Sequence, residues 1–526
     1  MKYHNMKKYR KIDYQEYHPV APHRGSFFLL TLLYAAVIIF ISCYHEVWRD
    51  EIHALSLVSE SDSVFDLFVN LRNDGHPPLW HLILYIGYHL VHHPLVLKIA
   101  SISIATLAIY VFLSTSPFSW LQKVLFIFGY FPIYEYSVIS RNYGISMLLL
   151  FCFCRLYSNR FKNIISLSII LFLLTQTNVN SSIIVISVFI SLLVEILFHR
   201  KKNIATINIQ SVHIIGLILI TFGIALFILQ TYPDNISILA PDFPSTHQIL
   251  NALLSSILFP GQSFYHALGL ENAVFVSVVV WLIYVYLLRK PLVLIIFFSS
   301  VVANGMFFKL VYPGGLRHQG FLLLLIIVAL WLARLDTYRV QIYPMFLNQV
   351  TDFVANYIYY FLTFLLLMQV CMAYTPVKRE IKLDFSSSKK LGNLIKENPY
   401  LKDAIILGEP DFFMEALPYY VKNQIFIARE GRFGKKVKWT TENKRYYSLD
   451  ELLNAAKTLR SKLQKPILIL IGHQLSREGP YEIKYYYGTY FTYDSKSLDV
   501  FFKSTNKIAS LRETISDEHY DVFMLK

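Results

Sequence analysis

Cysteine is nearly missing from this chain, with four in 526 residues: Cys43, Cys152, Cys154 and Cys371. All four lie in or beside apolar segments, which excludes a disulfide framework and a cysteine-based metal site. Charge is also scarce, at 16% of residues against roughly 25% in a soluble domain. No glycine-rich phosphate fingerprint is present, since "ILGEPD" and "LIGHQ" offer one glycine each. An Asp-x-Asp motif of the kind that holds a divalent metal is lacking too.

What fills the chain instead is apolar sequence: 55% hydrophobic and 16% aromatic residues, with a mean hydropathy of +0.43. Stretches such as "FFLLTLLYAAVIIFISCY" (27–44) and "GFLLLLIIVALWLA" (320–333) approach the roughly 20 residues that cross a bilayer. Apolar segments recur near 77–91, 95–113, 121–138, 142–157, 164–178, 181–198, 212–230, 272–288, 291–308 and 355–375. The reading is a polytopic α-helical membrane protein.

The remaining charge is unevenly placed. Residues 376–526 hold 26 of the 49 Lys and Arg and 19 of the 35 Asp and Glu. This predicts a membrane module over 27–375 followed by a soluble α/β domain over 376–526. The domain alternates helix-like stretches ("SSSKKLGNLIKENPYL", "PDFFMEALPYYV", "SLDELLNAAKTLRSKLQ") with strand-like ones ("DAIILGE", "QIFIARE", "PILILIGH", "YDVFMLK"). The formal net charge of +14 does not mark a nucleic-acid binder. The basic residues are scattered, many of them in short loops between apolar runs, as the positive-inside rule demands.

Residues 1–26 read as a basic cytoplasmic tail before an uncleaved first helix. Basic punctuation at 158–162, 199–202, 289–290 and 334–339 is expected inside. That puts 45–76, 231–270, 309–319 and the C-terminal domain outside. Five segments precede "SNRFK" where an even number is needed, so one is re-entrant or wrongly split, and 11 to 13 spans are expected.

The informative residues are the polar ones at the membrane edge. "HEVWRDEIHALSLV" opens an outer loop over 45–76, with Asp50 and Glu51 directly after the first apolar run. Charge there suits a solvated helix end, and equally a general base that activates an acceptor hydroxyl or amine. Apolar residues at 52, 55, 58, 64, 65, 68 and 71 suit helices lying in the interface. "RNDGHPPLWHLILYIG" places Asp74 and His76 before the second span, with a Pro pair suited to a helix start; a capped polar turn would look the same.

In "FPIYEYSVISRNYGISMLLL", Glu135 and Arg141 interrupt apolar sequence. They form either an ion pair with each other or a functional site, and an arginine that keeps its proton is suited to holding phosphate. "FFKLVYPGGLRHQGFLLLL" sets Lys309, Arg317 and His318 in a short outer loop, which favours an anionic ligand. Acids early and cations later, at one membrane level, fit transfer from a lipid phosphate to a nucleophile.

With "WRDEIHAL", "DGHPPLWHLILYIG", "SRNYGISMLLL" and "YPGGLRHQGFLLLL" in this order over about 27–335, the chain resembles the GT-C glycosyltransferases. The nearest group is that of the protein O-mannosyltransferases and the aminoarabinose transferases that modify lipid A. The resemblance implies an enzyme that takes a sugar from a polyprenyl-phosphate donor with inversion, on the outer or lumenal side. Asp50 becomes the base, accompanied by Glu51 and Asp74. Arg141, Tyr143, Arg317, His318 and Lys309 become donor-phosphate residues, while His76 and Arg49 position the substrate. The acceptor would be a glycolipid, polysaccharide or protein, and no cofactor or metal is expected. A bacterial plasma membrane is the expected location. A flippase, a polysaccharide ligase and a receptor-like module are the alternatives, but no internal repeat supports the flippase.

Overall fold

In the computed structural model, residues 24–72, 74–201, 210–233, 243–336, 340, 342, 344–479, 481–485 and 488–526 are described. Most of the basic tail, part of the 199–202 and 334–339 punctuation, and most of the 231–245 loop lie outside them. Of the described residues, 65% are helical.

Helices α1 (Arg24–Tyr44), α2 (Arg49–Ser59), α3 (Val64–Asn70), α4 (Leu79–Val91), α5 (Val96–Thr115) and α6 (Trp120–Ile127) come first. They are followed by α7 (Tyr143–Tyr157), α8 (Ile164–Thr175), α9 (Val179–Lys201) and α10 (Ser211–Thr231). Next are α11 (Thr246–Leu258), α12 (Ala273–Leu287), α13 (Pro291–Leu310), α14 (Leu316–Gln319), α15 (Phe321–Leu335) and α16 (Phe346–Lys382). Among the described residues, seven helical stretches are long and apolar enough to cross a membrane, an architecture compatible with a polytopic membrane protein. Four shorter apolar helices accompany them: α4, α7, α8 and α12.

The segment expected at 121–138 is not one helix. It is the eight-residue α6 followed by a π-helical turn at Phe131–Glu135, with Pro132 at its start. Proline has no N–H for the helical ladder, so the backbone changes pitch there. Glu135, at the end of this turn, is buried.

Helix α15 is the centre of the bundle, with every residue from Phe321 to Ala333 buried. The elbow joining α14 to α15 presses on the π turn. A Cβ at Gly320 would sit 2.2 Å from the Phe131 ring, so only glycine permits this approach. The contact places Arg317 beside Glu135, and the Tyr136 hydroxyl donates to the Arg317 carbonyl at 2.7 Å.

After α16 come α17 (Ser388–Glu397), β1 (Ile405–Glu409), β2 (Phe426–Ile427), β3 (Arg432–Phe433), β4 (Tyr446–Ser448), α18 (Leu449–Leu463) and β5 (Ile467–Ile471). The chain ends with β6 (Glu482–Lys484), β7 (Tyr490–Thr492), α19 (Ser495–Ser504), β8 (Thr505–Leu511) and β9 (Tyr520–Leu525). The main sheet has the order β1-β5-β9-β8, with β1 and β5 parallel and β9 antiparallel to β5. All residues of β1 and β5 are buried, as continuous Ile and Leu runs require of strands covered on both faces. "PDFFMEALPYYV", read as one helix, is two short 3-10 turns, Asp411–Met414 and Leu417–Tyr419. "QIFIARE" keeps only the two-residue β2, while β8 and α19 have no counterpart in the sequence reading.

Candidate active site

The site assembles where the N-terminus of α2 meets the start of α7 and the α14 elbow. Glu51 does the joining. It is fully buried, and its carboxylate accepts the Trp48 N–H at 3.2 Å, the return half of a capping box. It also accepts the Ser140 N–H at 2.6 Å and lies 2.9 Å from His45 Nε2. Three partners saturate it, so Glu51 ties α2 to the loop that carries Arg141.

His45 is itself a bridge, with Nδ1 3.0 Å from Glu380 of α16. Burial acts to lower its pKa, but the two carboxylates outweigh burial and push it up to about 9. The Tyr134 hydroxyl donates to the same Glu380.

Asp50 points the other way, and its side chain is 32% exposed. Its Oδ2 lies 3.2 Å from Arg141 Nη1 and 3.0 Å from Arg317 Nη1, and Arg49 Nε is 3.7 Å from Oδ1. Arg141 also donates to the Asp50 carbonyl at 2.7 Å. Burial would raise the Asp50 pKa, yet Arg141, Arg317 and Arg49 hold it well below the usual carboxylate range. Asp50 is therefore ionised, as a general base must be.

Arg317 has a second carboxylate, Glu135, at 3.4 Å, and its guanidinium stands 5.3 Å from the Trp48 ring centre. The Arg141–Glu135 pair considered from sequence is thus replaced by Arg141–Asp50 and Arg317–Glu135. The Tyr143 hydroxyl lies 3.0 Å from His318 Nε2, while His318 Nδ1 is buried without a partner.

Asp74 forms a neighbouring cluster. Its carboxylate lies 2.7 Å from His53 Nε2 and 3.0 Å from His76 Nδ1. Burial opposes ionisation of Asp74, but His53 and His76 reverse the balance and lower its pKa well below the ordinary value. Lys309 is placed elsewhere, bonded to Ser255 and Gln262. The sequence reading put it in the outer loop with Arg317, but it lies in the last turn of α13 and faces α11.

Beside Arg317 opens a cavity of about 230 Å³. Its polar lining comes from Tyr130, Tyr134, Glu135, Arg317, Thr375 and Arg379, and its apolar lining includes Pro376, Phe385 and Ile515. Tyr130 donates to Glu135 at 2.6 Å. Arg379 is exposed and has no carboxylate partner among the described residues. Sequence reasoning did not single out Arg379, Tyr130 or Tyr134. The available signal for Arg379 was Pro376 within a charged helix end, "TPVKRE".

Among the described residues, no group of three or more His, Cys, Asp or Glu side chains is arranged to hold a metal ion. The chain matches no family model and no curated protein.

Proposed function

We propose that this chain is a membrane glycosyltransferase of GT-C type, moving a sugar from a polyprenyl-phosphate donor to an acceptor on the outer or lumenal side of a membrane. The single observation that carries the reading is that Arg317 is shared: it pairs with the ionised Asp50 and lines the 230 Å³ cavity. A base and a phosphate cation thus stand one side chain apart. Seven helical stretches among the described residues are long and apolar enough to cross a membrane, and in this reading the C-terminal domain lies on the same side as Asp50. A bacterial plasma membrane is the proposed location, and membrane lipid surrounds the bundle.

In the reaction the acceptor O–H or N–H attacks the anomeric carbon from the face opposite the phosphate, which inverts its configuration. The new bond forms as the anomeric C–O bond to phosphate breaks, and the electron pair leaves with the phosphate oxygen. The acceptor proton passes to Asp50. Arg317 and Arg379, and Arg141 beyond them, stabilise the negative charge growing on the departing phosphate. Proton transfer to a positioned base contributes about 10²–10⁴-fold.

The test is release of polyprenyl phosphate from a panel of radiolabelled polyprenyl-phosphate sugars by the purified wild type and Asp50→Asn. Turnover of one donor by the wild type, lost in Asp50→Asn while the donor still binds, supports the reading. No turnover of any donor, with both proteins moving lipid-linked sugar across vesicles equally, would instead identify a flippase.

A further inference from the structure

In a layered α/β sheet, ligands ordinarily bind outside the carboxyl ends of parallel strands. Here the carboxyl end of β1 leads into the turn Asp411–Met414, and what lies against that turn is α2 of the same chain. The Arg49 guanidinium stands 5.4 Å from the Phe412 ring centre and 5.2 Å from that of Phe413, with Trp48 at 5.0 Å on its own side. Its two terminal nitrogens donate to Asp517 at 2.7 and 2.9 Å, a bidentate pair. Its backbone N–H donates to Glu518 at 2.8 Å, and Glu518 is in turn fixed by the Ser386 hydroxyl at 2.6 Å.

One turn further along α2, His53 lies 3.1 Å from Glu415 of the C-terminal domain and 2.7 Å from Asp74. Residues 49 and 53 are one helical turn apart and share a face. The C-terminal domain therefore grips α2 on both sides of Asp50. Two outlying contacts extend the grip: the Tyr420 hydroxyl to the Val47 carbonyl at 3.0 Å, and Lys436 to Glu60 at 3.3 Å.

We propose that the C-terminal domain is a positioning device, clamping α2 through Asp517, Glu518 and Glu415 so that Asp50 is held at its place between Arg141 and Arg317. The domain has no sugar-binding role in this scheme, which rests on Asp50 being the reacting group. Asp517, Glu518 and Glu415 touch neither the Arg141–Asp50–Arg317 cluster nor the cavity. Their effect passes through Arg49 and His53, which makes them positioning residues.

The experiment compares the wild type, Asp517→Asn, Glu415→Gln and the conservative Asp517→Glu, all as full chains in nanodiscs. Hydrogen exchange is followed in residues 46–59, with α17 and α18 as controls that the domain itself stays folded. In parallel, turnover is measured with the donor that the wild type accepts. The expected result is exchange in 46–59 at least tenfold faster in Asp517→Asn and Glu415→Gln, with the control helices unchanged. Over the same variants kcat falls tenfold or more while KM for the donor holds, and Asp517→Glu recovers part of both.

Unchanged exchange at 46–59 overturns the clamp whatever the turnover does. Faster exchange with full kcat overturns it as a positioning device. Faster exchange in a protein whose wild type turns over no donor leaves the clamp standing and faults the glycosyltransferase reading alone.

Discussion

Asp50 Oδ2 and Arg317 Nη1 lie 3.0 Å apart, and Arg317 in the same position borders the cavity next to α16. The carboxylate of Asp50 thus sits where one edge of an incoming phosphate would compete for the guanidinium. A donor that draws Arg317 toward itself takes a cation away from Asp50 and leaves the carboxylate more basic. In the proposed reaction, this geometry would link binding of the leaving group and activation of the base through one side chain.

The first prediction concerns that side chain. Arg317→Ala should lower kcat/KM for the donor by about 10²-fold or more, equivalent to roughly 2.7 kcal/mol of lost transition-state stabilisation. Arg317→Lys should fall between, because an ammonium keeps the charge and loses the planar fork. Steady-state kinetics on the two variants decide it, and equal activity in all three proteins would remove Arg317 from the reaction.

The pH profile follows from the same contacts. The arginines depress the pKa of Asp50, so its ionised form persists as pH falls through the ordinary aspartate range near 3.9. The expected outcome is a kcat/KM with no acid limb between pH 5 and 8. In Arg317→Lys, where charge remains but the pair is looser, any limb should still lie below pH 5. A limb near pH 6.5 in the wild type would point to a histidine as the base.

Much of this site was legible because hydrocarbon makes charge conspicuous. Asp50, Arg141 and Arg317 interrupt or border apolar runs, where a charge without a partner is costly, and the structure brings all three together. Glu51 was equally visible, but nothing in the spacing says that its carboxylate turns back onto Trp48, Ser140 and His45. Arg379, Glu380, Glu415 and Glu518 lie where charged residues are common, so none stands out until the chain is folded. Lys309 shows the opposite failure, since nearness in sequence to Arg317 did not bring it into the cluster.

The elements divide in the same way. Long runs such as 211–231 and 291–310 are unambiguous, because only a helix satisfies every backbone group in a bilayer. The break at Phe131–Glu135 is hidden by its own apolar residues, which fit a buried helix and a buried turn equally well. In the C-terminal domain, β1 and β5 announce themselves as short buried runs, whereas β8 lies on a sheet edge and mixes Asn506, Lys507 and Ser510 with Ile508, Ala509 and Leu511, mostly exposed or half-buried.

A third prediction addresses Arg379. As an exposed cation with no carboxylate partner among the described residues, it can be changed without orphaning another charge. Arg379→Gln should raise the donor KM about tenfold, in line with loss of one charge-assisted contact, and leave folding intact. Donor titrations at fixed acceptor measure it. A KM equal to that of the wild type would place the phosphate outside this cavity.

A fourth concerns stability. Glu51→Ala leaves the His45 imidazolium facing only Glu380 and strips the Ser140 N–H of its acceptor, both in fully buried surroundings. Breaking a buried pair by removing one partner costs about 3–5 kcal/mol. The variant should be strongly destabilised in thermal unfolding, by more than Asp50→Asn, whose site is partly open to water. Glu51→Gln should be milder, because its carbonyl oxygen can still accept one of the three bonds.

The last prediction lies in the C-terminal domain and has the sign opposite to that of Asp50. Asp411 is buried and its Oδ2 has no hydrogen-bond partner. Burial, reinforced by Glu409, pushes its pKa up to about 8 despite Arg429. The folded chain therefore keeps a proton on Asp411 that the unfolded chain releases near pH 3.9. Between those two values the native state binds more protons, so Asp411 makes stability fall as pH rises from about 4 to about 8. A tenfold difference in proton affinity between the folded and unfolded chain is worth about 1.4 kcal/mol, and relaxation around Asp411 holds the total to a few kcal/mol. Asp411→Asn keeps the shape and removes the ionisation. Unfolding of the domain in this variant should lose that part of the pH dependence, and at pH 8 the variant should be more stable than the wild type. If the two proteins show parallel stability profiles from pH 5 to 8, Asp411 is already ionised in the fold, and Arg429 outweighs both burial and Glu409.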